Sequence, residues 1–176
     1  MGSHDENDTL STEPLYDPEL LKRLDFSQSS TKFDPAISAS NPGQGLVVRP
    51  LCPADYDKGR YLAMKACPNT YYVTVIEDLE KNQIVGSATL VVEQKFIHEC
   101  AVRGRLEDVV VSDDYRGKQL GKLIITTITL LAQHLHCYKI TLDCKDRMIQ
   151  FYTGLGYRLE SGSSNYMQIR FENSKL

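Results

Sequence analysis

Each thing that this 176-residue sequence lacks removes a class of function. No apolar run is long enough to cross a bilayer, and no apolar leader stands near the N-terminus. Both absences imply a cytoplasmic protein, with peripheral association on endomembranes left open. A net charge of -3 gives no blanket attraction to nucleic acid or to an anionic membrane, so any anion site has to be local. The five cysteines, Cys52, Cys67, Cys100, Cys137 and Cys144, are odd in number and contain no C-x-x-C pair. They read as reduced thiols, neither a disulfide framework nor a redox motif. His134 and His136 stand two apart on a predicted helix and do not face each other, which argues against a metal site. There is no internal repeat.

What is present is the alternation of a mixed α/β domain. Residues 1–44 read as a flexible N-terminal arm: 1–15 are polar and acidic, 18–24 can form one short helix, and 26–45 are rich in Ser, Pro, Asn and Gly. Residues 45–176 read as a single domain, with a strand at 45–51 and a short helix at 53–64. Strands at 71–76 and 84–93 flank a turn at 78–83, and a further strand covers 105–111. The period then changes: Leu120, Leu123, Ile124, Ile128, Leu131 and Leu135 share one face of a helix predicted over 116–135. A strand at 138–143, a helix at 146–155 stopped by Gly156, and a closing strand at 165–171 complete the order. Strand, helix and strand from 105 to 143 predict a βαβ crossover in a mixed sheet.

The most specific stretch is RGRLEDVVVSDDYRGKQLGKLIITT, residues 103–127. Here a strand carrying two carboxylates, Glu107 and Asp108, hands over to a helix through two glycines and three cations. A helix N-terminus presents unpaired N–H groups and the positive end of a dipole, so it attracts anions. Gly117 and Gly121 keep side chains out of the way of a phosphate, and Arg116, Lys118 and Lys122 add charge. Taken alone, such a turn reads more often as a solvated basic helix start. A P-loop is excluded on spacing: three residues, not four, separate the glycines, and Leu123 follows Lys122.

The segment RGKQLG, residues 116–121, resembles the coenzyme A loop of the GCN5-related N-acetyltransferases, with Gln119 where that loop has its middle glycine. Further blocks resemble the glucosamine 6-phosphate N-acetyltransferases within that superfamily: LYDP at 15–18, FDPAIS at 33–38, GLVVRPL at 45–51, YYVTVIED at 71–78, KFIH at 95–98, RGRLEDVVV at 103–111, CYKITLDC at 137–144, and NYMQIR at 165–170. The resemblance covers most of the chain. It implies the GCN5-related N-acetyltransferase fold, an α/β architecture with a mixed central sheet flanked by helices. It also implies transfer of acetyl from acetyl-CoA to the amine of D-glucosamine 6-phosphate, a step towards UDP-N-acetylglucosamine. Cofactor contacts are implied for Val109, Val110, Val111, Arg116, Gly117, Lys118, Gln119, Leu120, Gly121 and Lys122, with the strand at 109–111 splayed from its neighbour.

The resemblance assigns roles that the residues alone leave open. Glu107 and Asp108 alternate on a strand and so face opposite sides; they could equally be a solvated edge, but the resemblance sets both against the aminosugar. Tyr152, which alone reads as core filling, becomes the donor to the leaving thiolate. Glu107 and Asp143 join it as catalytic residues, with Asp143 near the attacking amine. Tyr138 and Lys139 would line the sugar. Lys95, Phe96, Ile97, His98 and Arg170 would meet the 6-phosphate, Arg170 from a C-terminal strand exchanged within a homodimer. No metal is expected. Cys144 invites a covalent alternative, but no histidine pairs with it in a recognisable motif. Two departures stand out: Met148 occupies the place of a family Asn, and a helix-length segment expected between Leu62 and Ala63 is missing. The rival expectations are an acetyltransferase for another amine and a shortened, weakly catalytic form that binds coenzyme A or dimerises.

Overall fold

Runs of β-branched and aromatic residues build five strands, described here from a computed structural model covering residues 13–55, 58–160 and 167–169. The chain divides into two units, Met1–Asp143 and Cys144–Leu176. In the first unit, strands β1 (Leu46–Pro50), β2 (Tyr71–Asp78), β3 (Gln83–Gln94), β4 (Val102–Val111) and β5 (Lys139–Thr141) lie side by side in that order. The first four are antiparallel neighbours, and β4 and β5 are parallel. This is the mixed α/β sheet the sequence predicts, and the parallel pair is the expected crossover. Helices α1 (Glu19–Lys22), α2 (Lys58–Lys65), α3 (Ile97–Cys100) and α4 (Leu120–His134) complete the unit.

The core lies between α4 and the sheet. Leu123, Ile124, Ile128 and Leu131 are fully buried against a sheet whose Val75, Ile76, Ala88 and Leu90 are equally enclosed. The predicted apolar face is therefore correct up to Leu131, and the buried surface is wider than predicted, taking in Leu130 and Ala132 at its borders and Ile125 beyond. The expected arm packs on this helix. From Glu13 onward it is described, and α1 and a 3-10 turn at Phe26–Gln28 contact α4. Leu15, Tyr16, Leu21 and Ala39 of the arm are buried. The Leu15 N–H donates to the Leu51 carbonyl at 2.9 Å, and the Tyr16 hydroxyl bonds Thr74 Oγ1 at 2.6 Å. A narrow strip of α4 stays in reach of water, with Lys122 and Thr129 half-buried and Gln133 exposed.

Several boundaries differ from expectation. The helix predicted over 116–135 starts only at Leu120, because Gly117 and Gln119 adopt positive φ, which no helical residue does. The helix expected at 53–64 is a 3-10 turn, Pro53–Asp55, followed by α2 at Lys58–Lys65. The strand expected at 138–143 contracts to β5. Among the described residues no helix is long and apolar enough to cross a membrane.

In the second unit, a 3-10 turn at Asp146–Met148 leads into α5 (Ile149–Thr153), where one helix over 146–155 was expected. Met148 takes the N-cap position and makes no side-chain cap, a task Asn performs well. Gly156, with φ of +93°, follows the helix as a stop. The closing strand expected at 165–171 falls mostly outside the described residues, and 167–169 carry no regular structure. Arg170 also lies outside them.

Candidate active site

A kink in β4 sets up the site. Val110 pairs with Ser87 and Glu107 with Thr89, so Asp108 and Val109 together oppose the single residue Ala88. That extra residue is a β-bulge, and Asp108 carries it with φ of +53°. Strict alternation therefore fails where the sequence predicted that Glu107 and Asp108 would face opposite sides. Glu107 is half-buried and Asp108 exposed. Such bulges bend a strand away from its neighbour.

The strands part at the same place. β5 pairs with β4 only from Arg103 to Arg105, the last pair being Arg105 with Thr141. Among the described residues, no strand lies against the β5 side of β4 from Leu106 to Val111. This is the splay expected at Val109, Val110 and Val111. Val110 is 61% exposed, a large apolar side chain left open to solvent.

Beyond Val111 the chain turns towards α4. The Ser112 N–H donates to the Val85 carbonyl, and a 3-10 turn, Asp113–Tyr115, follows. Gly117 has φ of +81°, and Gln119 caps α4 in the left-handed conformation. The first helical bond of α4 runs from the Leu123 N–H to the Gln119 carbonyl, 2.9 Å. The N–H groups of Leu120, Gly121 and Lys122 consequently have no acceptor within the helix. A Cβ built on Gly117 would meet nothing within 4 Å. Free donors, a dipole and open space form a place where a diphosphate fits.

The cations divide. Arg116 is paired with Asp113 at 2.7 Å, both well exposed. Lys118 lies 4.7 Å from the centre of the Tyr115 ring, and Lys81, from the β2–β3 turn, lies 4.9 Å from the same centre. Tyr115 is buried, and its hydroxyl donates to Asp78 Oδ2. Asp78 Oδ1 also accepts the N–H groups of Glu80 and Lys81. The Tyr115 hydroxyl, with the backbone donors, lowers the Asp78 pKa below the ordinary carboxylate value. Sequence reasoning missed Asp78, Lys81 and Tyr115 because the turn and the loop meet only through the pairing of β3 with β4. Gln119 is also engaged: its amide accepts from the Asp34 N–H at 3.2 Å and donates to the Asp34 carbonyl at 2.7 Å, which ties the arm to the helix start.

On the sheet, Arg105 donates from Nε to Glu107 Oε1 and from Nη2 to Asp143 Oδ2. Glu107 first, then Asp143, raise the Arg105 pKa above its usual range. The two predicted catalytic carboxylates are thus brought together through a residue the sequence reading did not single out. The signal was available, since residues two apart on a strand share a face. Tyr138 is half-exposed beside Lys139, whose ammonium is 5.6 Å from its ring centre. Lys95 bonds Glu93, and Phe96 and Ile97 are exposed. His98 falls within α3.

Tyr152 belongs to α5 in the second unit. Its ring stands edge-on to Phe151 at 5.3 Å and to Tyr157 at 5.8 Å. Burial, and secondarily Cys144, push its pKa above the ordinary phenol value, so it is a neutral donor at pH 7. Among the described residues no three His, Cys, Asp or Glu side chains gather as a metal site would require.

The acetyltransferase (GNAT) family model matches residues 43–157. A probable glucosamine 6-phosphate N-acetyltransferase of Drosophila melanogaster is 54% identical over 180 residues, covering 90% of this chain and 82% of its own length. Since 90% of 176 residues is about 158, about 22 of those 180 positions are filled by the relative alone. The glucosamine 6-phosphate N-acetyltransferase of Schizosaccharomyces pombe is 42% identical over 88 residues, 50% of this chain and 79% of its own. The crystal structure of glucosamine-6-phosphate N-acetyltransferase from Arabidopsis thaliana superposes with a TM-score of 0.66 at 26% identity, covering 72% of this chain and 99% of that one. The splayed β4, the left-handed loop and the open start of α4 accompany these similarities, and the chain belongs to the acetyltransferase (GNAT) family, in its glucosamine 6-phosphate N-acetyltransferase branch.

Proposed function

We propose that this chain transfers acetyl from acetyl-CoA to the amine of D-glucosamine 6-phosphate, supplying N-acetylglucosamine 6-phosphate for UDP-N-acetylglucosamine synthesis. The observation that carries the reading is the run of unpaired N–H groups at Leu120–Lys122 next to Gly117, opening beside the unpaired edge of β4. Arg116, Lys118 and Lys122 supply charge at the rim, and the main-chain groups of Val109, Val110 and Val111 accept and donate along the open edge.

Bound acetyl-CoA supplies an activated thioester, which a neutral amine attacks without an acyl-enzyme. The new C–N bond replaces the C–S bond, the amine loses one proton, and the sulfur gains one. An N–H of the β4 edge facing the carbonyl oxygen stabilises the charge that develops there. Tyr152, neutral at pH 7, is the proton donor to sulfur. Glu107 and Asp143 orient the amine, and Asp108, Tyr138 and Lys139 hold the sugar. Lys95, Phe96, Ile97 and His98, with Arg170 from the other subunit of a homodimer, form the phosphate end. Residues 45–176 act as one acetyltransferase domain in this reading, working in the cytoplasm.

A thiol-release assay tests it. Glucosamine 6-phosphate is expected to release coenzyme A thiol far faster than glucosamine at equal concentration. Equal rates would remove the phosphate end from the reading and favour another amine. A second reading, a weakly catalytic form that binds coenzyme A, has one observation in its favour: α2 runs unbroken through Leu62 and Ala63. Calorimetry that shows coenzyme A binding without detectable acetyl transfer would select it.

A further inference from the structure

The register of the parallel pair has a consequence for the carboxylates. Arg105 faces Thr141 in the last β4–β5 pair. Continued by two residues, that register would set Glu107 opposite Asp143, two like charges facing each other across the gap where the strands part. Directly opposed like charges destabilise a sheet. Arg105 meets both: its Nε donates to Glu107 and its Nη2 to Asp143. One planar fork thus spans two strands, a geometry lysine cannot reproduce from a single ammonium. A neighbouring cation, Arg103, is used elsewhere, donating to Thr141 Oγ1 at 2.7 Å and lying 3.9 Å from Glu93. Lys95 is bonded to Glu93. Glu107 and Asp143 with Arg105 therefore form a local set with two negative charges and one positive.

We propose that Arg105 is a positioning residue for the amine substrate. Its guanidinium holds Glu107 and Asp143 on the two sides of the gap and leaves one negative charge unmatched, to receive the ammonium form of an amino sugar, which gives its extra proton to solvent before the neutral amine attacks. The proposal rests on the functional reading above. It makes the site selective for a cationic amine over a neutral hydroxyl acceptor, and it assigns that selectivity to a side chain that acts through Glu107 and Asp143.

The test is a double-mutant cycle on the full chain. Arg105→Met is expected to lower kcat/KM for glucosamine 6-phosphate by about 10- to 100-fold, the scale of a misplaced reacting group. Coenzyme A affinity by calorimetry should stay within about twofold, because the loop at 116–122 is untouched. Arg105→Lys should recover part of the loss. In a Glu107→Gln, Asp143→Asn background, Arg105→Met should cost less than about threefold more, because the groups it acts through are already neutral. Full additivity, or wild-type kcat/KM in Arg105→Met, overturns the proposal; thermal melts of each variant separate misfolding from misplacement. If the wild-type chain prefers another amine, the functional reading fails, and the same cycle run with that amine still decides the role of Arg105. If it acetylates no amine, a crystal structure of Arg105→Met decides: carboxylates unmoved from their wild-type positions overturn the clamp, and carboxylates swung apart uphold it.

Discussion

Gly117→Ala separates two demands, backbone conformation and open space, that meet on one residue of the loop before α4. Gly117 holds φ of +81°, a region where an L-residue with a Cβ is strained by about 1–2 kcal/mol. The added methyl itself meets nothing within 4 Å, so no packing clash adds to that cost. The variant is therefore expected to fold and to lose about 1–2 kcal/mol of stability. At about 2–4 °C per kcal/mol for a chain of this size, the melting temperature should fall by roughly 2–8 °C. Affinity for coenzyme A should respond differently. If the open space over Gly117 is where the diphosphate lies, the methyl blocks it, and calorimetry should show a loss of more than about tenfold, or about 1.4 kcal/mol. Lower stability with undiminished coenzyme A affinity would refute the placement of the diphosphate. A loss of stability well beyond about 2 kcal/mol would refute the claim that strain alone decides the folded state.

Tyr152→Phe should cut kcat by about 100-fold or more while changing coenzyme A affinity little, since only a proton donor is removed; an unchanged kcat in steady-state assays would end its assigned role. Asp78 has a lowered pKa in the folded state, so its contribution is present above about pH 4 and disappears as pH falls through the lowered value. Asp78→Asn should accordingly melt lower at neutral pH and show a flatter acid limb, and a wild-type acid limb in scanning calorimetry would contradict the Tyr115–Asp78 pairing. Leu123→Ala, at a fully buried position of α4, should cost about 2–5 kcal/mol in denaturant titration, and a loss under about 1 kcal/mol would show that the core is not centred on α4.

Periodicity and composition in the sequence were enough to place the five strands of the sheet, the crossover and the helix that packs on it. The alternation from 71 to 93 and the spacing of Leu120, Leu123, Ile124, Ile128 and Leu131 are local patterns, and local patterns survive translation into structure because backbone geometry repeats them. The glycines at 117 and 121 marked the loop and helix start for the same reason, since their effect is on the nearest peptide groups. Other features needed the folded chain. The bulge at Asp108 puts a residue other than glycine at positive φ and depends on the partner strand, so no pattern announced it. The packing of α1 and the turn at Phe26–Gln28 on α4 joins segments nearly a hundred residues apart, which no local pattern announces. Asp78, Lys81 and Tyr115 converge only because β2, β3 and β4 are paired. Arg105 joins Glu107, a near neighbour, to Asp143, 38 residues further on. Sequence by itself set what each segment could become, because propensity and period act over a few residues. Tertiary structure alone decided which charges meet, because charges interact through space, without regard to their separation along the chain.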